Sequence, residues 1–472
     1  MIRAKAFWMP VLLLGLGGCA SVDLRAGFGD VSAAVQERAA TRIEWNQGTE
    51  LDREAAERLA SLLRRKLSAE DAVEIALLNN RDLQALYSDL GVAQADLVQA
   101  GLFRNPVLDA SVAFHLGPFR PDVQLGMVFG LLDALYMPLR KRVASAQFEE
   151  AKLRVTGGVL DFALQVRRAF HEHQANEQLL ELRRTVREAL TVSYDVSWRL
   201  HEAGNITDLD LARDRAAMER SKIELRAAEV AASQSREQLD SLMGLSGKET
   251  AWEIAPRLPD VPAEPLQVND IERTVVARSV DLGHARQRII AAGQQLGYSR
   301  ATAWIPSAEM GVIAESEADE GWGIGPSISV PIPLFDQGQA RVARSAADLR
   351  RVQQEYHALA VRIRATARAV LDRMRGAGDR ALYYRDILLP LQERIVSDAQ
   401  LQYNAMQIGV FQLLRDRQQQ IETGVGYVEV LRDYWLARAD LLQLLSGRLP
   451  MNGIRMGAAN GKASTKENGN GE

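Results

Sequence analysis

The chain states one pattern twice, the second time about 200 residues after the first. Asn80-Arg81-Asp82-Leu83 is answered by Ser279-Val280-Asp281-Leu282, Asn105-Pro106 by Ile305-Pro306, and Met137-Pro138-Leu139 by Ile332-Pro333-Leu334. Arg142-Val143-Ala144 is answered by Arg341-Val342-Ala343, and Ala203-Gly204 by Ile408-Gly409. A period of this length exceeds any solenoid unit and reads as a duplicated architecture. The fold is therefore expected to consist of two like halves.

Each half runs through the same periodicities. The first repeat, 68–254, opens on Ser68-Ala69-Glu70-Asp71, an N-cap with acid in the first turn, followed by Ala72, Ile75, Ala76, Leu83, Leu86 and Leu90 at helical spacing up to Gly101. The second, 267–449, does the same from Val268 to Ala301 with Asn269 or Asp270 as cap. The hydrophobic period then changes from 3.6 to 2. Leu108, Ala110, Val112, Phe114 and Leu116 alternate with polar or small residues and, past a Gly117-Pro118 turn, Val123, Leu125, Met127 and Phe129 do so again. In the second half Ala308 to Ala314 and Ile324 to Val330 alternate around a Glu315 to Gly321 loop. Four strands of about ten residues suit a tilted crossing of a hydrocarbon core.

Arg140 to Ala203 then runs without proline, and Arg341 to Ile408 carries only Pro390, so each half can form a helical rod of about 100 Å. Leu153, Leu160, Leu164, Leu179, Leu182 and Leu190 recur at helical steps among many Arg and Glu, a coiled-coil pattern with solvated faces. Gly376-Ala377-Gly378 and Pro390 are expected to bend the second rod. Returning helices cover Asp208 to Gly244 and Leu413 to Gly447. Residues 255–266, with four prolines from Pro256 to Pro265, read as a linker, and the Gly, Asn and Lys-rich tail 450–472 as disordered. Residues 19–67 read as an extended strap followed by a short helix from Leu51 to Leu67.

The lone cysteine of the 472 residues, Cys19, follows Arg3, Lys5, an apolar run from Phe7 to Leu16, and Gly17-Gly18. That is a secretory signal over 1–18, too short to span a bilayer. Leu16-Gly17-Gly18-Cys19 resembles the bacterial lipoprotein box, which implies an acylated, palmitate-bearing Cys19, and Ala20 at the next position implies sorting to the outer membrane. A second cysteine is lacking, so no intramolecular disulfide forms. With 57 basic and 61 acidic residues nothing marks a nucleic-acid binder. After the leader no apolar run is long enough for a membrane helix, so any crossing is by strands. Four strands have open edges, which hydrocarbon does not tolerate, so such a sheet must close with copies of itself.

Helix, hairpin, very long helix and returning helix, performed twice behind a lipoprotein leader, resembles the TolC-like outer-membrane efflux proteins. The turns between the long helices carry the resemblance most specifically. Trp198 to Gly204 followed by Leu209-Asp210-Leu211 matches the family pattern in the first half; Tyr403 to Gly409 followed by Leu413-Leu414-Arg415-Asp416 matches in the second, with Arg415 where the family usually has an acid. The resemblance spans Ser68 to Gly447. It implies a mainly α protein with a small β part, forming a homotrimer whose α-helical barrel continues into a shared 12-stranded transmembrane β-barrel. The implied role is passive export of small molecules or ions from the periplasm to the exterior of a Gram-negative cell. Its implied partners are a periplasmic adaptor (membrane fusion) protein and a proton-driven inner-membrane pump.

Converging helix ends would narrow the duct at those turns, where threefold rings of acid hold cations and slow anions. Asp208, Asp210 and Asp416 are the gate candidates and Arg415 a partner that releases on opening; Asp208 is equally suited to stabilising a first helical turn after Thr207. Gly204 and Gly409 are expected to supply the left-handed residue of each turn. An enzyme is the first rival reading: His171-Glu172-His173 offers a metal pair, but residues two apart leave a helix on different faces and no third ligand fits, so a solvated face is expected, with no metal and no cofactor beyond lipid on Cys19. The second is a periplasmic coiled-coil lipoprotein scaffold or adaptor without a pore, which leaves the duplicated hairpins unexplained. In the second turn, Ile408-Gly409-Val410-Phe411 leans towards partners of heavy-metal pumps rather than multidrug ones.

Overall fold

A computed structural model of the chain describes residues 21–46, 50–114, 121–263, 270–317 and 321–450. The leader with Cys19, the Gly117-Pro118 turn, Asn269 and the tail beyond residue 450 lie outside the described residues.

The duplication is visible element by element. The first half runs α3 (Ala69–Asn79), α4 (Arg81–Ala100), β1 (Val107–Ala113), β2 (Asp122–Gly130), α5 (Asp133–Glu202) and α6 (Asp208–Met243). The second runs α7 (Ile271–Arg278), α8 (Val280–Ala301), β3 (Glu309–Glu317), β4 (Gly321–Ser329), α9 (Gln339–Tyr383), a π-helical turn (Tyr384–Leu388), α10 (Leu389–Asn404) and α11 (Val410–Ser446). At 70 residues, α5 is a rod of about 105 Å. The four strands form one antiparallel sheet in the order β1-β2-β3-β4. Among the described residues no helix is long and apolar enough to cross a membrane.

The opening helix of each half is two helices, not one. The Asn80 side chain accepts from the Leu83 N–H at 3.1 Å and caps α4, and Ser279 does the same for α8 through Leu282 N–H at 3.1 Å. The tetrapeptides that open the repeat are thus mid-course recaps, in which an extended residue breaks one helix and starts the next. Ser68 caps α3 in a reciprocal box with Asp71, as its sequence requires.

Other expectations shift. The N-terminal strap contains α1 (Phe28–Ala39), whose Val31 and Val35 are buried; tertiary packing against α5 makes a helix that its local pattern does not announce. The Glu50–Leu62 helix, α2, stops short of Leu67, which instead bridges to Ile254. Strand β3 runs to Glu317 and β4 begins at Gly321, so most of the expected Glu315 to Gly321 loop is strand. The second rod is unbroken helix through Gly376-Ala377-Gly378 and changes register at the π turn just before Pro390. Proline lacks the N–H that an i−4 bond needs, and a one-residue shift of the ladder absorbs the loss. Gly426 of α11 makes room for the ring there: a Cβ would lie 2.9 Å from the Tyr384 hydroxyl oxygen, which would have to shift.

One apolar cluster gathers the N-terminal helices, α3, α4 and the upper part of α5 around Tyr87, and a second joins α7, α9 and α11. Between them the proline-rich linker is tied down. Gln174 Nε2 donates to the carbonyls of Ala255 and Arg257 at 2.9 and 2.8 Å, and Trp435 Nε1 donates to Pro259 O at 2.7 Å. The segment is a strap across α5 and α11, with Leu258 buried beneath it.

Candidate functional site

The strand register sorts the sheet into two unlike faces. Directly paired residues share a face, and the pairs Leu108–Met127, Ala110–Leu125 and Val112–Val123 continue into Leu125–Ala314, Met127–Val312 and Phe129–Met310. Met310–Ile328 and Ala314–Ile324 complete the row into β4. This face is apolar over most of its area, and among the described residues nothing covers it: Leu108 is 68% exposed, Ile324 77% and Ile328 69%. The other face carries Ser111, Gln124, Ser327 and six glycines, with Asp109, Glu309 and Glu315 at three levels. No Lys or Arg occurs in any of the four strands. Within the chain the outer edges of β1 and β4 have no strand partner among the described residues.

At the opposite end of the long helices lie the two tip turns. In the first, Asn205 N–H reaches Leu200 O at 2.8 Å around Gly204, which is left-handed with φ 73°. Thr207 caps α6: its Oγ1 accepts from Asp210 N–H at 3.2 Å and donates to the Asp210 carboxylate at 2.8 Å. Asp208, almost fully exposed, receives His201 Nε2 at 2.6 Å across the turn. In the second turn Gln407 N–H reaches Gln402 O at 2.8 Å, and the left-handed residue is Met406 with φ 56°. Gly409 has φ −81° and stands as the extended N-cap of α11. Met406 therefore occupies the place of Gly204, and Gly409 that of Thr207, an offset of 202 rather than 205.

That offset reassigns the second turn. Arg415 corresponds to Arg213 and Asp416 to Asp214, while Gln412 stands where Asp210 does, leaving the first turn of α11 without an acid. Arg415 replaces another arginine, not an acid. Gln412 holds both: its amide donates to Asp416 at 3.2 Å and its oxygen accepts from Arg415 at 3.1 Å. A cleft of about 490 Å³ between α5, α6 and α11 brings together Asp210, Arg213, Asp214, Leu414 and Arg415. Asp208, Asp416, Leu209, Trp198 and Tyr403 are not part of its lining; Trp198, Leu209 and Tyr403 are exposed on the tip. Two contributors were missed from sequence: Asp214, which accepts from Ser197 Oγ of α5, and Arg183, which donates to Glu224 of α6 at 2.9 Å and to Glu422 of α11 at 3.0 Å. The 202 offset at the turn was the signal that would have placed Asp214.

The solvated face expected for His171 and His173 is corrected. They leave α5 on different faces, but α5 is packed on both sides and both rings are buried. His171 lies 5.0 Å from the Trp435 ring, and His173 Nδ1 is 2.9 Å from Ser235 Oγ. Burial pushes both imidazoles down to about 4, helped by Arg167 at His171 and Arg236 at His173. Among the described residues no group of three or more His, Cys, Asp or Glu could hold a metal ion.

A small sheet with one bare apolar face, set on a bundle of very long helices that end in two capped turns, is the protomer architecture of the TolC-like outer-membrane efflux proteins; the chain has that fold. Over 87% of its length it superposes on 95% of the outer-membrane channel OprN, with a TM-score of 0.65 at 16% identity. It superposes over 88% on 92% of the Campylobacter jejuni CmeC outer membrane channel, with a TM-score of 0.62 at 15% identity. In sequence it is 22% identical over 348 residues to the cobalt-zinc-cadmium resistance protein CzcC of Cupriavidus metallidurans, covering 73% of this chain and 79% of that one. No family model matches the chain.

Proposed function

We propose that the chain is the outer-membrane channel subunit of a tripartite efflux system, acting as a homotrimer that passively conducts cationic solutes, divalent metal ions foremost, without making or breaking a bond. Three sheets join edge to edge into one 12-stranded barrel, the apolar face toward lipid and the acid-bearing face toward the lumen. An acylated Cys19 anchors the N-terminus in the outer membrane, while the helices reach into the periplasm towards an adaptor and a proton-driven pump. The observation that carries this reading is the uncovered apolar face: a sheet this exposed is unfavourable in water and at home in hydrocarbon.

Cation preference is supported by Asp109, Glu309 and Glu315 on a face free of Lys and Arg, which in three copies gives rings of negative charge in a low-dielectric duct. The relation to a cobalt-zinc-cadmium resistance protein supports metal ions as the first solutes to test. At the tip, Asp210 and Arg415 in the shared cleft are the gate residues favoured by the geometry; Asp208 and Asp416, each held by a neighbour on its own turn, serve the turn itself.

The test is reconstitution of the purified protein into planar bilayers together with growth of a deletion strain on metal salts, dyes and antibiotics. Cation-selective pores and hypersensitivity to cobalt, zinc or cadmium are expected. Absence of pores, with full release into the soluble fraction on Cys19→Ser, would establish the scaffold reading instead.

A further inference from the structure

The antiparallel register gathers every helix–strand junction at one end of the sheet: Val107 pairs Val128, and Gly130, Glu309 and Ser329 lie in one row. Four connecting segments, 101–106, 131–144, 298–308 and 330–344, meet there. They are bound into one collar. Arg140 and Arg104 flank Asp133 at 3.4 and 3.6 Å, Arg140 donates to Leu102 O at 3.1 Å, and Tyr136 OH donates to Ile305 O at 2.7 Å.

The collar's outer surface combines two features. Phe103 and Trp304 are each 63% exposed and Phe335 is 93% exposed, so three aromatic rings stand in solvent just beyond the strand ends. Behind them the four segments hold seven cations, Arg104, Arg140, Lys141, Arg142, Arg300, Arg341 and Arg344, against two carboxylates. Both carboxylates are engaged, Asp133 by the two arginines and Asp336 by Gly338 N–H at 2.8 Å. Arg341 and Arg344 also sit in the first two turns of α9, which has no acid in its first turn, where the helix dipole disfavours cations. Among the described residues the two carboxylates offset only part of this positive charge, and an anionic partner outside the chain would balance the rest.

We propose that this collar seats in the headgroup layer of the leaflet facing the periplasm and binds anionic phospholipid there, the aromatic rings at the glycerol level and the arginines on phosphate. The inference rests on the channel reading, which places the strands in a bilayer. Aromatic rings at a membrane–water interface, with basic side chains on its wet side, are the pairing that anionic lipid selects. The same chemistry could serve free phosphate; the arrangement with an aromatic belt favours the lipid.

The experiment compares melting of the purified trimer in detergent micelles doped with phosphatidylglycerol or with phosphatidylcholine. The variants are Arg142→Gln, Arg300→Gln and Arg344→Gln, singly and combined, none of which has a side-chain partner on α5, α8 or α9 that the fold depends on. Lys222→Gln with Arg226→Gln on the exposed face of α6 is the control. Phosphatidylglycerol is expected to raise the melting midpoint of the unmodified protein and of the control, high salt to cancel the rise, and each collar substitution to remove part of it while leaving the phosphatidylcholine value unchanged. A combined variant that keeps the whole rise overturns the proposal. So does inorganic phosphate reproducing the rise in phosphatidylcholine micelles, or a collar variant that already loses its trimer there, which would make the collar a subunit contact. Pore formation measured on the same samples separates the two readings: pores with an unaltered lipid response sink the collar alone, and no pores sink the channel.

Discussion

Met406 and Gly204 hold the same left-handed position in the two tip turns, one with a side chain and one without. The sequence signals glycine at both turns, and Gly409 drew the match to the wrong residue because an N-cap glycine and a turn glycine look alike in one dimension. At this scale the sequence names the right neighbourhood but not the partner. Asp210 is legible as an acid opening α6, yet its box with Thr207 and its share of a cleft with Arg415 need the fold. Asp210→Asn keeps an oxygen for Thr207 and removes the charge, so conductance should move towards anions in bilayer recordings; unchanged selectivity would take Asp210 out of the gate. His171 and His173 were unreadable because burial depends on α6 and α11, far away in sequence. Their depressed pKa values, about 4 in the fold against about 6.5 unfolded, mean that the unfolded chain binds more protons between these limits. Stability is therefore full above pH 6.5 and falls as pH drops towards 4, by up to roughly 3 kcal/mol for each ring. Thermal melts at pH 7.5 and 4.5 should show this loss, and His173→Gln should reduce it; a pH-independent difference between the two proteins would contradict the assignment.

The elements were largely legible, since apolar residues at 3.6 and 2 fix helix against strand wherever a face is buried or uniformly bare. What local pattern could not supply were the breaks. Asn80 and Ser279 interrupt runs whose hydrophobic spacing continues unbroken, and the π turn answers Pro390 several residues ahead of it. Nor could it supply cross-helix ties such as Arg183, about three-quarters of the way along α5, which links α6 and α11. Partly exposed pairs of this kind contribute roughly 0.5–1 kcal/mol each. Arg183→Gln should loosen the lower part of α11, seen as amide exchange about fivefold faster around residues 412–422, with protection around the buried Leu431 unchanged. Equal exchange in both proteins would show that Arg183 is a surface pair only.

The whole molecule follows from a duplication whose halves each contribute one hairpin to a common sheet. Repeat and alternation were readable in sequence; the pairing of β2 with β3, which merges two hairpins into one two-faced sheet, was not, because it joins residues nearly 190 apart. That sheet is the basis of the functional reading, and its faces are open to direct measurement. Cys19 is the sole native cysteine, so single cysteines placed along the strands report individually when isolated outer membranes are treated with a water-soluble maleimide. Labelling should alternate: Ser111, Gln124 and Ser327 positions react, while Leu125, Val312 and Ile328 positions react only after the membrane is dissolved in denaturing detergent. Equal labelling of both sets in intact membranes would mean a sheet bathed in water on both sides, and no channel.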